Sequence, residues 1–258
     1  MRILVTFATP QEFAPWRALR SFAPVEIGPR KVYGGRIGAA ELRVAITGIG
    51  QMAALRAARQ LLQLGADICI SSGTAGGLRP EHTPGRILVA RALRMEDERF
   101  LIKSDDRLRR IAAVCGARVV DLFFSADHVV LTAREKAALG LVADAVEMES
   151  YAVLTEAARC RVPAVAVRAV SDGCRADLPL DFNRTINPEG HLSWPRLLSQ
   201  IARRPHRIPA LVRMGAESRR AAGSLARFLD LYAQTLAGQV SERDLLARAH
   251  SSGQAARR

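Results

Sequence analysis

Three carboxylates stand at places in the sequence where a side chain can act on a bound substrate. Glu12 follows the first apolar run, Glu149 opens a helical pattern, and Asp172 follows the apolar run Ala164–Val170. Open α/β sheets bind ligands beyond the carboxyl ends of their strands, so these side chains are expected at one edge of a sheet. A carboxyl group at such an edge can donate or accept a proton during a reaction.

Each carboxylate also has a purely structural interpretation. Thr9-Pro10-Gln11-Glu12 has the form of a capping box with proline at the first helical position, and for Glu12 alone this interpretation is favoured. Glu149 would be stabilised at a helix N-terminus by the helix dipole. Asp172 could cap a turn. The residue types alone leave structure and chemistry both open.

Two glycine-rich segments follow predicted strands. They read Thr47-Gly48-Ile49-Gly50-Gln51 and Ser72-Gly73-Thr74-Ala75-Gly76-Gly77. Glycines after a strand allow backbone N–H groups to approach a ligand or an anion, although such glycines more often mark simple turns. Neither segment has the dinucleotide fingerprint, and neither has the lysine that a Walker A loop requires.

Strands and helices alternate as far as about residue 172 and predict an α/β fold, a single domain with a central mixed sheet flanked by helices. The strand candidates are Ile3–Phe7, Val32–Ile37, Glu41–Thr47, Ile68–Ser71, Arg86–Ala92, Val119–Phe123, Ala143–Val146 and Ala164–Val170. The helix candidates are Pro10–Arg20, Gln51–Leu64, Asp105–Val114, Arg134–Leu141 and Glu149–Cys160. Gly38-Ala39-Ala40 is expected to join the second and third strands as a hairpin.

Composition bounds the class of protein. The 258 residues are 49% hydrophobic and 24% charged, which excludes a disordered chain. No run approaches the roughly 18 apolar residues of a membrane span, and Met1–Val5 runs into the first strand without a signal-peptide pattern. We therefore expect a cytoplasmic protein. The four cysteines and five histidines lack the spacing of a disulfide framework or a metal site, so no metal is expected.

The net charge of +13 is concentrated in the C-terminal quarter. Residues 196–258 hold twelve arginines and four acids, and 12 − 4 gives +8. Because aromatic residues make up only 5% of the chain, a stacking platform for single strands is not expected, and no nucleic-acid partner is predicted. A basic helical extension, residues 205–258, is predicted to follow the α/β domain of residues 1–204.

Between residues 209 and 237 the extension has an amphipathic helical pattern. The apolar positions are Leu211, Val212, Gly215, Ala222, Leu225, Leu229, Tyr232 and Leu236, and the basic positions on the other side are Arg213, Arg220 and Arg227. The favoured interpretation is a helix packed on the sheet with a solvated basic face. The alternative is an element that makes peripheral contact with an anionic membrane.

The order and spacing of these segments resemble the nucleoside phosphorylase/nucleosidase superfamily, especially its 5′-methylthioadenosine/S-adenosylhomocysteine nucleosidase branch. The resemblance runs from Met1 to about Asp172 and rests on Glu12, the Gly-Thr-Ala-Gly-Gly loop, Val-Glu-Met-Glu and Ser-Asp. It implies a nucleoside phosphorylase-like fold, a homo-oligomer, and cleavage of the N-glycosidic bond of a purine nucleoside without a cofactor. It also reverses the preference for a purely structural Glu12.

The resemblance implies a role for each segment. A protonated Asp172 would donate to N7 of the departing purine, which is a poor leaving group as an anion, and Glu12 would orient and deprotonate the attacking water. Glu149 would accept the ribose hydroxyls, with Met148 packed near the sugar. The base would lie beside Val146, Glu147 and Ser171. The nucleophile or ribose would lie beside the two glycine-rich segments, at Gly48, Gly50, Gly73, Thr74, Ala75 and Gly76.

The nucleophile and the 5′ substituent of the substrate stay open. Phosphorolytic relatives hold phosphate, their co-substrate, with an arginine just before the glycine-rich loop. Here Ile70-Ser71-Ser72 has none, which favours hydrolysis. Segment 96–104 is shorter than the loop of the family, and Leu178–Arg184 with Arg203-Arg204-Pro205 resembles the hopanoid-associated phosphorylases. That resemblance implies a lipid-linked adenine nucleoside, adenosylhopane, as substrate. The alternatives are a 5′-methylthioadenosine/S-adenosylhomocysteine nucleosidase, or a non-catalytic purine-binding protein at a membrane surface.

Overall fold

The computed structural model describes residues 1–27, 30–96, 100–187, 189–241 and 245. Strands and helices alternate along these ranges, with short 3-10 turns at Phe182–Arg184 and Pro205–Arg207. The strands are β1 (Arg2–Phe7), β2 (Ala23–Ile27), β3 (Arg30–Ile37), β4 (Ala40–Ile46), β5 (Ile68–Gly77), β6 (Ile87–Met95), β7 (Ile102–Lys103), β8 (Arg118–Ser125), β9 (Ala145–Glu147) and β10 (Ala164–Asp172). The helices are α1 (Pro10–Leu19), α2 (Gln51–Leu62), α3 (Asp106–Val114), α4 (Ala133–Leu139), α5 (Ser150–Arg159), α6 (Trp194–Arg203) and α7 (Ile208–Leu236).

The strands form one mixed sheet, and part of it closes on itself. β5 pairs with both β10 and β9, and the series β10–β6–β8–β9 returns to β5. The sheet then continues from β5 through β1, β4 and β3 to β2. Because β1 is parallel to β4 and β5, and β5 is parallel to β10, these four strands end at one edge. The segments that follow them are therefore neighbours.

Apolar side chains alternate between the two faces of the sheet, as the two-residue period of a strand requires. Ile3, Val5 and Phe7 pack with α1, α3 and α7 in one core cluster. Leu4 and Cys69 pack with α2 and α5 in the other. Burial on both faces explains the apolar runs within β1 and at the starts of β5 and β10.

The structure confirms the predicted fold class. The eight predicted strands, the five helix candidates and the helix predicted between residues 209 and 237 are present with small shifts at their ends. β3 and β4 form the predicted antiparallel hairpin through Gly38. Sequence patterns missed β2 and β7. β5 and β10 also run further than predicted, to Gly77 and Asp172, so the glycine-rich segment and Asp172 are themselves parts of strands.

Helix α7 belongs to the core of the domain. Leu225, Leu229 and Tyr232 are buried in the cluster that also contains β1, and the Tyr232 hydroxyl donates to the Leu108 carbonyl at 2.8 Å. The packed interpretation is thus confirmed from residue 221 onward, whereas Val212 is 62% exposed. Packing continues across the boundary predicted at residue 204. Within the described residues, no helix has the length and apolarity needed to cross a membrane.

Candidate active site

Glu12 links the start of α1 to the glycine-rich end of β5. Its Oε1 accepts from the Thr74 amide and hydroxyl, both at 2.8 Å, and its Oε2 accepts from the Thr9 amide at 3.1 Å. The Glu12 amide donates back to the Thr9 hydroxyl, which confirms the capping box. A Cβ on Gly73 would lie 3.0 Å from Oε1, and Gly73 has a φ of +147°. Glycine is therefore required where the carboxylate crosses the loop.

Glu147 forms a buried ion pair with Arg168 on β10. Arg168 Nη2 donates to Glu147 Oε2 at 2.6 Å, and both side chains are almost fully excluded from solvent. The same oxygen accepts from the amides of Glu149 and Ser150, at 3.0 and 2.7 Å, and Oε1 accepts from the Ser125 hydroxyl. The Glu147 carboxylate is thus directed at Arg168 and the start of α5, and the expectation that Glu147 lies beside the base stays a prediction. Glu147 fixes the start of α5.

Glu149 is the second carboxylate near the same guanidinium. Its Oε1 accepts from the Gly50 amide at 3.0 Å, and its Oε2 lies 3.5 Å from Arg168 Nη2. Burial and then the charge of Glu147 raise the pKa of Glu149 to about 8, against the attraction of Arg168. Burial also acts on Glu147, but Arg168 and the hydrogen bonds outweigh it and hold the pKa of Glu147 below its usual range. The two glutamates therefore differ, since the pKa of Glu147 is lowered and that of Glu149 is raised.

Asp172 lies at a β-bulge, since the register of β10 against β5 shifts between Val170 and Asp172. Bulges re-aim side chains and are frequent beside active sites. Asp172 Oδ2 forms an ion pair with Nζ of Lys136 on α4, and Oδ1 accepts from the Ser171 hydroxyl at 2.6 Å. The Ser171 hydroxyl also lies 3.2 Å from the Ala75 carbonyl. These contacts attach Asp172 to both α4 and β5.

The expected base-binding segment lies against the glycine-rich strand. Val146 on β9 pairs with Gly76 on β5. A Cβ on Gly76 would lie 3.2 Å from Val146 Cγ1 and 3.4 Å from Asp172 Oδ2. Val146 is buried and Met148 is half-buried. The absence of a side chain at Gly76 therefore keeps the space between Val146 and Asp172 open.

The glycine-rich segments use their N–H groups on protein acceptors. The bonds run from Gly48 to the Ala8 carbonyl (3.1 Å), from Ile49 to the Gly190 carbonyl (2.8 Å), from Gly50 to Glu149 Oε1 (3.0 Å) and from Thr74 to Glu12 Oε1 (2.8 Å). These amides therefore have protein acceptors in the structure, and the roles expected for the two segments beside a ligand stay predictions. Two of the amides hold the carboxylates, and one attaches the segment after residue 175 to the site.

The sequence interpretation missed two basic residues, Arg168 and Lys136. Arg168 carried a signal, because a charge inside the apolar run Ala164–Val170 needs a buried partner. No sequence signal pointed to Lys136, because a lysine on a short helix between Glu135 and two alanines is typical of a solvated surface. Of the predicted short segment 96–104, residues 97–99 lie outside the described residues. The described residues contain no group of three or more His, Cys, Asp or Glu side chains that could hold a metal ion.

Comparison with solved structures gives the same fold. A futalosine hydrolase mutant of Helicobacter pylori strain 26695 superposes with a TM-score of 0.69 at 19% identity, over 90% of this chain and 98% of that one. The 5′-methylthioadenosine/S-adenosyl homocysteine nucleosidase of Campylobacter jejuni gives 0.71 at 19% identity, over 91% and 99%. The 5′-methylthioadenosine/S-adenosylhomocysteine nucleosidase of Neisseria meningitidis gives 0.70 at 21%, over 91% and 99%.

Comparison with protein families covers most of the chain. The profile of the phosphorylase superfamily matches residues 2–140 and 111–189. These ranges include the glycine-rich segments, all three carboxylates and the strands that position them. The chain belongs to the phosphorylase superfamily, the nucleoside phosphorylases and nucleosidases that the order of its segments resembles.

Proposed function

We propose that this protein cleaves the N-glycosidic bond of an adenine nucleoside and releases adenine. One observation carries the proposal: Glu12, Glu149 and Asp172 come from distant parts of the chain and meet around the glycine-rich end of β5. Glu12 binds Thr74, and Asp172 lies beside Gly76. The names of the solved nucleosidases and the futalosine hydrolase that share the fold support this class of reaction.

The proposed reaction needs a general base, a general acid and a group that binds the sugar. As the bond between C1′ and the purine breaks, its electron pair moves into the base and water attacks the oxocarbenium-like C1′. Glu12 takes a proton from that water, and Asp172 in its protonated form gives a proton to N7. Glu149 in its ionised form accepts hydrogen bonds from the ribose hydroxyls. The half-buried Met148 lies next to it, in position to pack on the sugar.

The hydrogen bonds around the carboxylates favour water over phosphate as the nucleophile. A phosphate ion needs several N–H donors, yet the amides of Gly48, Ile49 and Gly50 already donate to protein acceptors. Arg168, the guanidinium next to the cluster, is held by Glu147 and Glu149. Hydrolysis does not require these amides or Arg168 to bind the nucleophile.

For the substrate we propose adenosylhopane, a nucleoside with a large apolar 5′ substituent. Two exposed apolar side chains belong to segments connected to Glu149. Phe100 is 74% exposed, and its carbonyl accepts from the Tyr151 hydroxyl, two residues beyond Glu149. Met52, also exposed, is two residues beyond Gly50, which binds Glu149. A lipid substituent would cover this apolar surface, whereas a methylthio group would leave most of it in water.

Adenine release from a panel of nucleosides tests both levels of the proposal. The panel holds adenosylhopane, an adenosine with a long 5′-alkyl chain, 5′-methylthioadenosine and S-adenosylhomocysteine, each with and without phosphate, and Asp172→Asn is the control. We expect release without phosphate and the highest kcat/KM for the lipid substrates. A preference for methylthioadenosine would favour the alternative nucleosidase, and adenine binding without release would favour the non-catalytic protein. Light scattering on the same sample would test the proposed homo-oligomer.

A lipid substrate also gives a reason for peripheral contact with an anionic membrane. Since α7 is packed from residue 221 onward, the contact would involve its exposed start, the exposed Trp194 and Leu198 on α6, and nearby arginines. Arg196, Arg203 and Arg204 help line a cavity of about 510 Å³. Basic residues with interfacial aromatic and aliphatic side chains bind anionic lipid, at about 1 kcal/mol for each arginine at the surface.

Sedimentation with liposomes tests the membrane proposal. Wild type should bind vesicles with anionic lipid at low salt, and less at high salt, because salt screens the charges. Replacing the exposed Arg213, Arg220 and Arg227 by Gln should weaken binding without disturbing the packed half of α7. If both proteins ignore anionic vesicles, the basic surface has no membrane role.

A further inference from the structure

We propose that Lys136 is the positioning residue for Asp172. Its buried ammonium orients the carboxyl group and stabilises the negative charge that Asp172 acquires when its proton passes to the base. The inference rests on the proposed function, because it concerns the proton that leaves with the purine. No feature of the sequence had indicated a role for the Lys136 side chain.

The ammonium of Lys136 is fully bound. The side chain is 1% exposed, and Nζ donates to Asp172 Oδ2, to the Ala176 carbonyl at 2.7 Å and to the Gly173 carbonyl at 3.3 Å. An ammonium has three N–H donors, so each has an acceptor in or next to the turn that follows β10. A buried lysine is costly unless its charge is paired and hydrogen-bonded, and here both conditions are met.

The same turn is attached to α4 at further points. The Ala133 amide donates to Asp177 Oδ1 at 2.7 Å, and the Leu178 amide donates to the Leu131 carbonyl at 2.8 Å. These bonds hold the turn without Lys136. Its ammonium is therefore not needed simply to close the turn, and its distinctive contact is the one with Asp172.

The charge of Lys136 acts on the proton transfer itself. When the glycosidic bond breaks, its electron pair goes to the purine, N7 takes the proton of the Asp172 carboxyl group, and Asp172 becomes a carboxylate. That new charge forms next to an ammonium that is already in place, so no reorganisation is required at the moment of reaction. The ion pair in the structure corresponds to the enzyme after the proton has left, and one proton from solvent restores it.

Other charged groups around the pair have other partners or face solvent. On α4, Glu135 binds the start of its own helix through Thr132. In the turn, Arg175 and Asp177 are exposed and Cys174 is half-buried. On β9, Glu147 binds Arg168, and on α1, Glu12 binds Thr74. Among the described residues, Asp172 is the acid within ion-pair distance of the Lys136 ammonium.

The test is the pH profile of adenine release by Lys136→Met, with Lys103→Met, an exposed lysine on β7, as the matched control. Loss of a preorganised charge should lower kcat by about 10²–10³-fold with little change in KM. Because the ammonium acts on the proton transfer, its removal should also move the alkaline limb of kcat to higher pH. A purely structural lysine would lower kcat without moving that limb.

A double-mutant cycle completes the test. Because Lys136 acts through Asp172, the Lys136→Met change should cost little further kcat in the Asp172→Asn background. If Lys136→Met unfolds, Lys136→Ala replaces it, and rescue of kcat by added propylamine is then expected. An unmoved alkaline limb, or full additivity with Asp172→Asn, would overturn the inference. A wild type that releases no adenine would overturn the proposed function instead.

Discussion

Removal of the Arg168 guanidinium should destabilise the protein more than the substitution of a residue in any of the protein's surface ion pairs. Arg168 is 1% exposed, and it pairs with Glu147 at 2.6 Å and with Glu149 at 3.5 Å. Arg168→Met keeps much of the side-chain volume and takes away the charge. Two carboxylates then remain buried without a cation. Breaking a buried pair in this way costs about 3–5 kcal/mol, out of about 5–15 kcal/mol for a typical domain.

The loss should depend on pH, and its sign follows from the two glutamates. Arg168 is the largest contribution that holds the pKa of Glu147 down against burial, so without it only the hydrogen bonds oppose burial, and we expect that pKa to rise. The folded variant then binds a proton that the unfolded chain, with a glutamate pKa of about 4.3, has already released. Stability falls with pH wherever the folded state binds more protons. The variant should therefore lose more stability relative to wild type at pH 8 than at pH 5.

Urea unfolding at pH 5 and pH 8 measures both effects. The matched control is Arg59→Met, because Arg59 is 53% exposed and its partner Glu156 keeps a second arginine, Arg159. That change should cost less than about 1 kcal/mol. Adding Glu147→Gln to Arg168→Met should recover part of the stability. A loss at pH 8 below 1 kcal/mol, or one equal at both pH values, would show that the Arg168 pair does not carry the energy assigned to it.

Three substitutions test the carboxylates individually. Asp172→Asn should lower adenine release by about 10²–10⁴-fold with an unchanged circular dichroism spectrum, and near-normal turnover would remove Asp172 from the mechanism. Glu12→Gln should lower kcat as strongly but change the free energy of unfolding by less than about 1 kcal/mol, since Gln also serves in a capping box. Unchanged turnover would leave Glu12 only its capping role. Glu149→Gln should raise KM, and because burial raises the pKa of Glu149 to about 8, it should abolish a loss of stability between about pH 5 and pH 8. Melting curves that keep the wild-type pH dependence would contradict that assignment.

The fold could be predicted because its strands are buried on both faces and its helices have apolar stripes. β1 contains the apolar run Ile3–Val5, β5 begins with Ile68–Ile70 and β10 begins with Ala164–Val167, and such runs are visible in a sequence. β2 was missed because Ala23–Ile27 contains a proline and lies at the edge of the sheet, where local composition says little. β7 has two residues, too few for any period. The extra length of β5 was hidden by its glycines, which are typical of turns.

The candidate site was predictable only in part, for a related reason. Glu12, Glu149 and Asp172 could be located because each follows an apolar strand or opens a helix. Their partners could not, because pairing in three dimensions leaves little trace in local spacing. Lys136 is 36 residues away from Asp172 in sequence, and Arg168 lies inside a strand whose apolar neighbours dominate the pattern. The acceptors of the Gly50 and Thr74 N–H groups could not be predicted, because Glu149 and Glu12 are distant from them in sequence.

In the Val-Glu-Met-Glu segment, partners that local spacing does not reveal give the two glutamates different roles. Glu147 ends β9, where its carboxylate receives Arg168 and the first amides of α5. Glu149 follows two residues later, and its amide is one of those that Glu147 binds, so Glu147 sets the position of Glu149. Arg168 lies closer to Glu147 than to Glu149, and the pKa of Glu149 is raised. In the proposed function, an oxygen of Glu149 faces the ribose. Groups whose environments push their pKa values apart can take different roles in one site. In the proposed function the first glutamate therefore positions the second, although its own side chain stays buried.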